Sequence, residues 1–325
     1  MIQKSDEQNE LIDNILRWIL QHRDVFAIQS KTSTSVTQTS SNDDHSSVTN
    51  SKQSSGTKRK HSSSQNSSTL NTDFVSWRGC LTRLLCSPYE SREGWLLAVT
   101  RFNDTFYMCE FDTEEKKNME ANRTDFQKEM CYWGWKFEQY VTADKPDGKP
   151  DTSSAVNNCE AYCTVIRTRL NSHSLFFSGE VDCIGSKGNY IELKTSRELY
   201  NSIQDEKFKR FKLIKWWAQS FLPGVSKIIC GFRDDDGVVR RLQEFNTHKI
   251  PDMVKDIKTP WKPNICFNFL DQFLTLIKDT VKVNDPRNVY LFSRDSKSND
   301  ITWQNVGPDS EFQFLPQWYI DEFEK

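Results

Sequence analysis

Acidic and apolar residues alternate over two short runs in mid-chain, Phe177-Ser178-Gly179-Glu180-Val181-Asp182-Cys183-Ile184 and Tyr190-Ile191-Glu192-Leu193-Lys194. Side chains two apart on a strand share a face. Glu180 with Asp182, and Glu192 with Lys194, would line one face, while Val181, Ile191 and Leu193 take the other, which needs a core. The intervening Gly185-Ser186-Lys187-Gly188-Asn189 reads as a turn, so a β-hairpin is expected with Asp182 opposite Glu192 and Glu180 opposite Lys194. Directly opposed residues lie roughly 4.5–5.5 Å apart at Cβ. Two carboxylates that close repel unless a cation lies between them, and a hard divalent ion with oxygen ligands suits the position. Solvated charges on an exposed face are the plainer alternative, but opposed like charges are a poor choice for a face that does nothing.

This D…ExK arrangement is the core of metal-dependent nucleases with a PD-(D/E)xK site. Carboxylates hold one or two Mg²⁺ ions that activate a water and shield the charge building on phosphate. A lysine beside them can orient the water or stabilise phosphate oxygens.

The elements that must position these residues are legible from the wider pattern. An amphipathic helix is expected over 7–28, with Leu11, Ile12, Ile15, Leu16, Ile19 and Leu20 in its apolar stripe. Residues 29–72 hold 23 Ser/Thr in 44 positions and no aromatic residue, so they are expected to form a disordered insert. From residue 73 the chain reads as strands at 81–86, 94–102 and 105–111, a helix over 122–142, a Pro/Gly/Asp-rich loop at 144–154 and a strand at 162–170. After the acidic hairpin come a long helix over 197–222 ended by Pro223-Gly224, a hairpin of 227–233 with 238–245, a helix over 264–281, and a strand pair at 289–294 and 301–306. The predicted fold is α+β, with mixed, largely antiparallel sheets flanked by helices. The expected division is a helix in 1–28 packing on the core, the insert at 29–72, and a catalytic domain over 73–325.

Composition excludes several chemistries. The net charge of −2 gives no global basic field, so any nucleic-acid contact must be local. The nine cysteines form no CxxC or Cys/His pairing, which argues against a zinc site or a disulfide framework and for reduced thiols. None of the five histidines lies in a motif, and no GxxxxGK[ST] phosphate loop is present. There is no N-terminal apolar signal core and no run of 18 apolar residues, so neither secretion nor a membrane span is expected. Lys58-Arg59-Lys60 reads as solvated linker charge in preference to a nuclear signal, for which three basic residues are weak evidence. Lys207, Lys209, Arg210, Lys212 and Lys215 form a basic run after the acidic hairpin, either a solvated helix face or a track for phosphates. Asp234-Asp235-Asp236-Gly237 reads as turn chemistry rather than a second metal site.

Further residues gain meaning in combination. The order Trp77-Arg78-Gly79, Gly134-Trp135-Lys136-Phe137-Glu138, Gly179-Glu180-Val181-Asp182, Ile191-Glu192-Leu193-Lys194-Thr195, then Lys215 through Leu222 with Trp217, Gln219, Ser220 and Phe221, resembles the DXO family of eukaryotic decapping exoribonucleases over residues 73–306. The resemblance implies a PD-(D/E)xK-like nuclease fold and hydrolysis at RNA 5′ ends dependent on Mg²⁺ or Mn²⁺, with two ions. Implied activities are removal of incomplete or noncanonical caps (including NAD), pyrophosphate release and 5′→3′ degradation. By motif position it implies metal ligation by Glu138, Glu180, Asp182, Glu192 and the Leu193 backbone carbonyl. Lys194 and Gln219 would position the water or the scissile phosphate, and Arg78 would contact the RNA 5′ region. It further implies RNA 5′ ends as partners, a possible 5′→3′ exoribonuclease protein partner, and a nuclear or cytoplasmic location. A non-catalytic RNA-end or protein-binding member of the family is the rival reading, and a DNA nuclease with the same core a third.

Overall fold

The computed structural model describes residues 11–26, 69–298 and 300–324. Most of the Ser/Thr-rich segment, 29–68, and with it Lys58-Arg59-Lys60, lies outside the described residues. In chain order the elements are α1 (Asp13–Gln21), β1 (Phe74–Trp77), α2 (Arg78–Cys86), β2 (Trp95–Phe102), β3 (Thr105–Phe111), α3 (Glu114–Ala121) and α4 (Asp125–Val141). There follow β4 (Cys163–Leu170), β5 (His173–Glu180), β6 (Cys183–Ile184), β7 (Tyr190–Arg197), α5 (Ser202–Lys207), α6 (Leu213–Phe221), β8 (Lys227–Arg233) and β9 (Val239–Asn246). The chain ends with α7 (Ile250–Met253), α8 (Pro263–Thr280), β10 (Val289–Arg294), β11 (Ile301–Gly307) and α9 (Gln317–Glu324).

The strands form two sheets, a seven-stranded one in the order β11-β10-β2-β3-β1-β5-β4 and a four-stranded one in the order β6-β7-β8-β9. β1 runs parallel to β3 and β5, and β7 parallel to β8; the remaining pairs are antiparallel. On one face of the large sheet Ile15, Leu16 and Ile19 of α1 and Tyr319 and Ile320 of α9 pack against Val75, Ala98, Tyr107 and Phe176. On the other face Leu84, Trp217 and Leu274, from α2, α6 and α8, share a core with Phe106 and Phe177 of the large sheet and with Ile228, Cys230 and Phe232 of the small one. Alternation along each strand produces these two-sided sheets, and the apolar burial holds the helices in place.

α4 covers the opposite face of the small sheet. Its start is fixed by a capping box, with Gln127 N donating to the Thr124 hydroxyl (3.2 Å) and Thr124 N donating to Gln127 Oε1 (2.9 Å). Phe137 then packs on Ile191 and Leu193. A Cβ at residue 231 would come within 2.8 Å of the Phe137 ring, so Gly231 is what lets helix and strand approach.

Four expectations are corrected. Residues 81–86 are helical rather than a strand: Leu81, Leu84 and Leu85 are buried at i, i+3 and i+4, a spacing that a short apolar run conceals. The long helix expected over 197–222 begins later, because β7 continues to Arg197 and Asn201 caps the next helix through a hydrogen bond from Gln204 N (2.9 Å). It is also interrupted by a π-helical turn over Phe208–Lys212. Leu70 and Thr72, placed in the polar insert by composition, are buried, and the Thr72 carbonyl accepts from the Thr105 hydroxyl (3.0 Å).

The fourth correction concerns the acidic hairpin. Its two arms do not lie in one sheet. Phe177 to Glu180 belong to β5, paired with β1 and β4 in the large sheet, whereas β6 pairs with β7 in the small one. The chain changes sheets at Val181-Asp182. Cys183 pairs with Ile191, a register that continues to Asp182 opposite Glu192 as expected, but Glu180 is paired with Cys163 and has no strand partner at Lys194.

Candidate active site

The junction between the sheets concentrates charge. β6 is only two residues long, so the Leu193 N–H, which a longer strand would have bonded, is met instead by Asp182 Oδ2 at 2.5 Å. A side chain here substitutes for a missing ladder bond. Glu192, wholly buried, turns toward α6, and its Oε1 accepts from Lys194 Nζ (2.5 Å) and Gln219 Nε2 (2.6 Å). Its Oε2 is buried with no hydrogen-bond partner. Glu138 comes from α4 and Glu180 from the exposed end of β5.

The electrostatics follow from crowding. Burial and then Asp182 push the Glu138 carboxyl up to about 8, with Lys194 opposing and Glu180 and Glu192 adding to the rise. Burial and then Glu192 raise Asp182 to about 6, against Lys194 and the Leu193 N–H. Burial and then Glu192 also raise Glu180, against Arg78 and Lys194. Burial works against the Lys194 ammonium, but Glu192 and Asp182 outweigh it and its pKa is raised. The site therefore has more negative charge than its own lysine neutralises.

A divalent cation fits this donor set. The ligating atoms on offer are all oxygens, suited to a hard ion, and one buried carboxylate oxygen is unpaired. Among the described residues no three of these side chains are drawn close enough to form a ready-made cage. Glu192 and Asp182 are occupied by internal donors, which a bound ion would have to displace or share.

Glu138, Glu180, Asp182, Lys194 and Gln219 line one cleft of about 650 Å³. Glu192 lies beneath it, with Leu193 beside it on β7 and tied to Asp182. Arg78, expected to contact the RNA 5′ region, is engaged within the chain. It is nearly buried at the first turn of α2, where Nη1 donates to the Gln219 carbonyl and Nη2 to the Glu180 carbonyl, both at 3.1 Å. Its guanidinium braces two site residues. A Cβ at residue 179 would meet Arg78 side-chain atoms at 2.7 Å, so Gly179 makes room for this brace. The basic run, which passes from the end of α5 through the π-helical turn into α6, is largely engaged by neighbours: Lys209 with Asp205 (2.7 Å), Lys215 with Glu90 (3.0 Å), and Lys212 with the Ser196 hydroxyl (3.1 Å). Asp234-Asp235-Asp236 is turn chemistry, as expected, since Asp234 Oδ1 accepts from Asp236 N and Val238 N.

Among the cleft residues not singled out as candidates from sequence are two aromatic ones, Trp135 and Tyr162. Trp135 precedes Glu138 by three positions on a helix, a spacing that places both on one side. Tyr162 carried no local signal beyond its place at the start of a strand.

Comparison with known proteins agrees with this geometry. The family described as RAI1 like PD-(D/E)XK nuclease matches residues 1–320. The chain is 44% identical over 262 residues to the human protein named "Decapping and exoribonuclease protein", covering 76% of this chain and 64% of that one. The Xenopus laevis protein of the same name is 45% identical over 259 residues, covering 78% of this chain and again 64% of the relative, so the chain spans somewhat under two thirds of these relatives. The crystal structure of Candida albicans Rai1 in complex with pU5-Mn²⁺ superposes with a TM-score of 0.69 at 27% identity, covering 78% of this chain and 74% of that one. Scheffersomyces stipitis Rai1 in complex with (3′-NADP)⁺ and calcium ion gives 0.68 at 26% identity, with the same coverage. With a family match over residues 1–320 and relatives 44% and 45% identical over more than three quarters of the chain, the protein belongs to the RAI1-like PD-(D/E)XK nuclease family.

Proposed function

We propose that the protein is a metal-dependent hydrolase of RNA 5′ ends, which removes incomplete or noncanonical caps (including NAD) or 5′ pyrophosphate and degrades the RNA 5′→3′. The observation that carries this reading is the cleft at the sheet junction, where four carboxylates crowd one lysine. The names of the relatives support it, as do the ligands of the solved neighbours, a uridine oligonucleotide with manganese and a dinucleotide with calcium.

Hydrolysis adds water across a P–O bond: the attacking oxygen loses a proton and the leaving oxygen gains one. The ions we assign to the site, Mg²⁺ or Mn²⁺ and two in number, would lower the pKa of the water and neutralise charge on the phosphate. Glu138, Glu180, Asp182, Glu192 and the Leu193 carbonyl would hold them. Lys194 supplies a positive donor for a phosphate oxygen once its ammonium is shared with Glu192. Gln219, fixed by Glu192 at one N–H, retains a second N–H to orient water or phosphate. Arg78 braces Gln219 and Glu180 through their carbonyls, and we assign it a contact with the RNA 5′ region beside them. We further assign RNA 5′ ends as the partner, a 5′→3′ exoribonuclease as a possible protein partner, and a nuclear or cytoplasmic location. Among the described residues no helix is long and apolar enough to cross a membrane.

The test uses purified protein with Mn²⁺ or Mg²⁺ and end-labelled RNAs carrying monophosphate, triphosphate, unmethylated-cap, methylated-cap or NAD ends. Metal-dependent release from at least one end is expected. A folded protein with no turnover on any end would overturn the assignment.

A further inference from the structure

The catalytic cleft is a poor electrostatic receptor for nucleic acid. Glu138, Asp144, Asp151, Glu160, Glu180 and Asp182 line it, against Lys149 and Lys194, and Lys194 is bonded to Glu192. A polyanion gains little from such walls beyond the bound ions, so something indifferent to charge must hold it. Base–aromatic stacking has that property, because every base has a π-face.

Two aromatic residues line the cleft together with the carboxylates, and they come from different elements. Trp135 stands one helical turn before Glu138 on α4. Tyr162 precedes β4, and its carbonyl accepts from Val181 N at 3.0 Å, which ties it to the backbone between Glu180 and Asp182. The Tyr162 side chain is 62% exposed, uncovered by the core. It has an aromatic neighbour: its ring lies 6.3 Å from that of Tyr190, tilted 38°. An exposed ring in the lining of a cleft crowded with carboxylates is placed to receive a planar partner.

We propose that Tyr162 is a positioning residue that stacks on a nucleobase flanking the scissile phosphate, with Trp135 as a second aromatic surface in the same cleft, and that this stack rather than phosphate contact supplies the cleft's grip on RNA. The proposal deepens the hydrolase reading and rests on it. It makes the enzyme tolerant of base identity and intolerant of a missing base. It also makes binding weakly dependent on salt, since few phosphates are neutralised by side chains.

The experiment compares the full chain with Tyr162→Ala and Tyr162→Phe, in Mn²⁺, on a 5′-labelled oligouridylate and on versions abasic at the first or second nucleotide. Tyr162→Ala is expected to raise KM on intact RNA by about tenfold, within the range found for losing one stacked base, with kcat changed far less. Tyr162→Phe keeps the ring and retains the wild-type KM. One of the abasic substrates costs the wild type a similar factor and removes the difference between wild type and Tyr162→Ala. An unchanged KM in Tyr162→Ala, an equal penalty for Tyr162→Phe, or a full penalty persisting on both abasic RNAs would each overturn the stacking role. Even if Tyr162→Ala fails to fold, wild-type protein that handles both abasic RNAs with the KM of intact RNA would overturn the stacking role. Wild-type protein inactive on every RNA would instead strike down the hydrolase reading and this inference with it.

Discussion

Two acidic clusters in this chain look alike in sequence and differ in kind. Asp234, Asp235 and Asp236 crowd a hairpin tip, whereas Glu138, Glu180, Asp182 and Glu192 crowd the cleft. At the tip, the partial burial of Asp234 would raise its pKa, but the Val238 N–H, Arg240 and the Asp236 N–H outweigh it and hold the carboxyl below its usual range. Asp235 pairs with Arg197 at 2.5 Å. In the cleft the balance reverses: burial and mutual repulsion win, and Glu138, Glu180 and Asp182 are all raised. Charge that is satisfied by its own chain has a structural use. Charge that is not satisfied marks a candidate site for a ligand.

The contrast can be broken first at the level of activity. Replacing Glu180 and Asp182 together by Ala is expected to lower hydrolysis by at least about a thousandfold, since two candidate oxygen ligands are lost. Asp235→Asn with Asp236→Asn should stay within about twofold, as exposed substitutions away from a site do. Comparable losses in both variants, measured as initial rates on labelled RNA, would erase the distinction.

A smaller effect is expected at Gln219, which touches Glu192 rather than being one of the assigned ligands. Gln219→Ala should lower activity or metal affinity by roughly 10–100-fold, the usual scale for groups that orient a ligand. A titration with Mn²⁺ separates a loss of affinity from a loss of rate at saturation.

The two clusters also carry opposite pH signatures in chelator-treated protein. Glu138 rises from 4.5 to about 8 and Asp182 from 3.8 to about 6 on folding, so the folded chain holds protons that the unfolded chain releases. Their contribution to stability is present at low pH and falls as pH rises through this window. The lowered Asp234 carboxyl contributes above its ordinary value of 3.8, and that contribution is lost as pH falls through its folded pKa. Thermal melts should show the metal-free protein losing stability from about pH 5 to about pH 8, and Mn²⁺ should flatten the loss because it binds only the folded, ionised site. A slope unchanged by the Glu180→Ala, Asp182→Ala pair would assign it to other groups.

The smallest expected effect belongs to the tip. Asp234→Ala removes the acceptor for two backbone N–H groups and for Arg240, so the melting temperature should fall while hydrolysis stays within about twofold. A large loss of activity would mean that the hairpin reaches the cleft in a way its hydrogen bonds do not convey.

Much of this was legible before the fold. Alternation marked β2, β3 and β8 to β11, and the spacing of Gly185 to Asn189 set Asp182 opposite Glu192. What failed did so where one local pattern serves two structures. Leu81, Leu84, Leu85 and Cys86 satisfy both a short buried strand and a helix face, and only packing against α6 and α8 decides between them. The change of sheets at Val181-Asp182 was invisible because alternation reports which way a side chain faces, not which sheet the strand joins. Arg78 poses a related ambiguity: an arginine in a motif can grip a substrate or its own backbone, the sequence around it is the same in either case, and only the fold reveals the two backbone bonds.

That arginine sets the dimensions of the site. Its two terminal nitrogens bridge a carbonyl at the end of β5 and a carbonyl in α6, elements that belong to different parts of the fold. The separation between those two elements is thereby gauged by the width of one rigid, planar ion, and the absent side chain at Gly179 lets that gauge seat fully. A lysine there would keep the charge and lose the measurement.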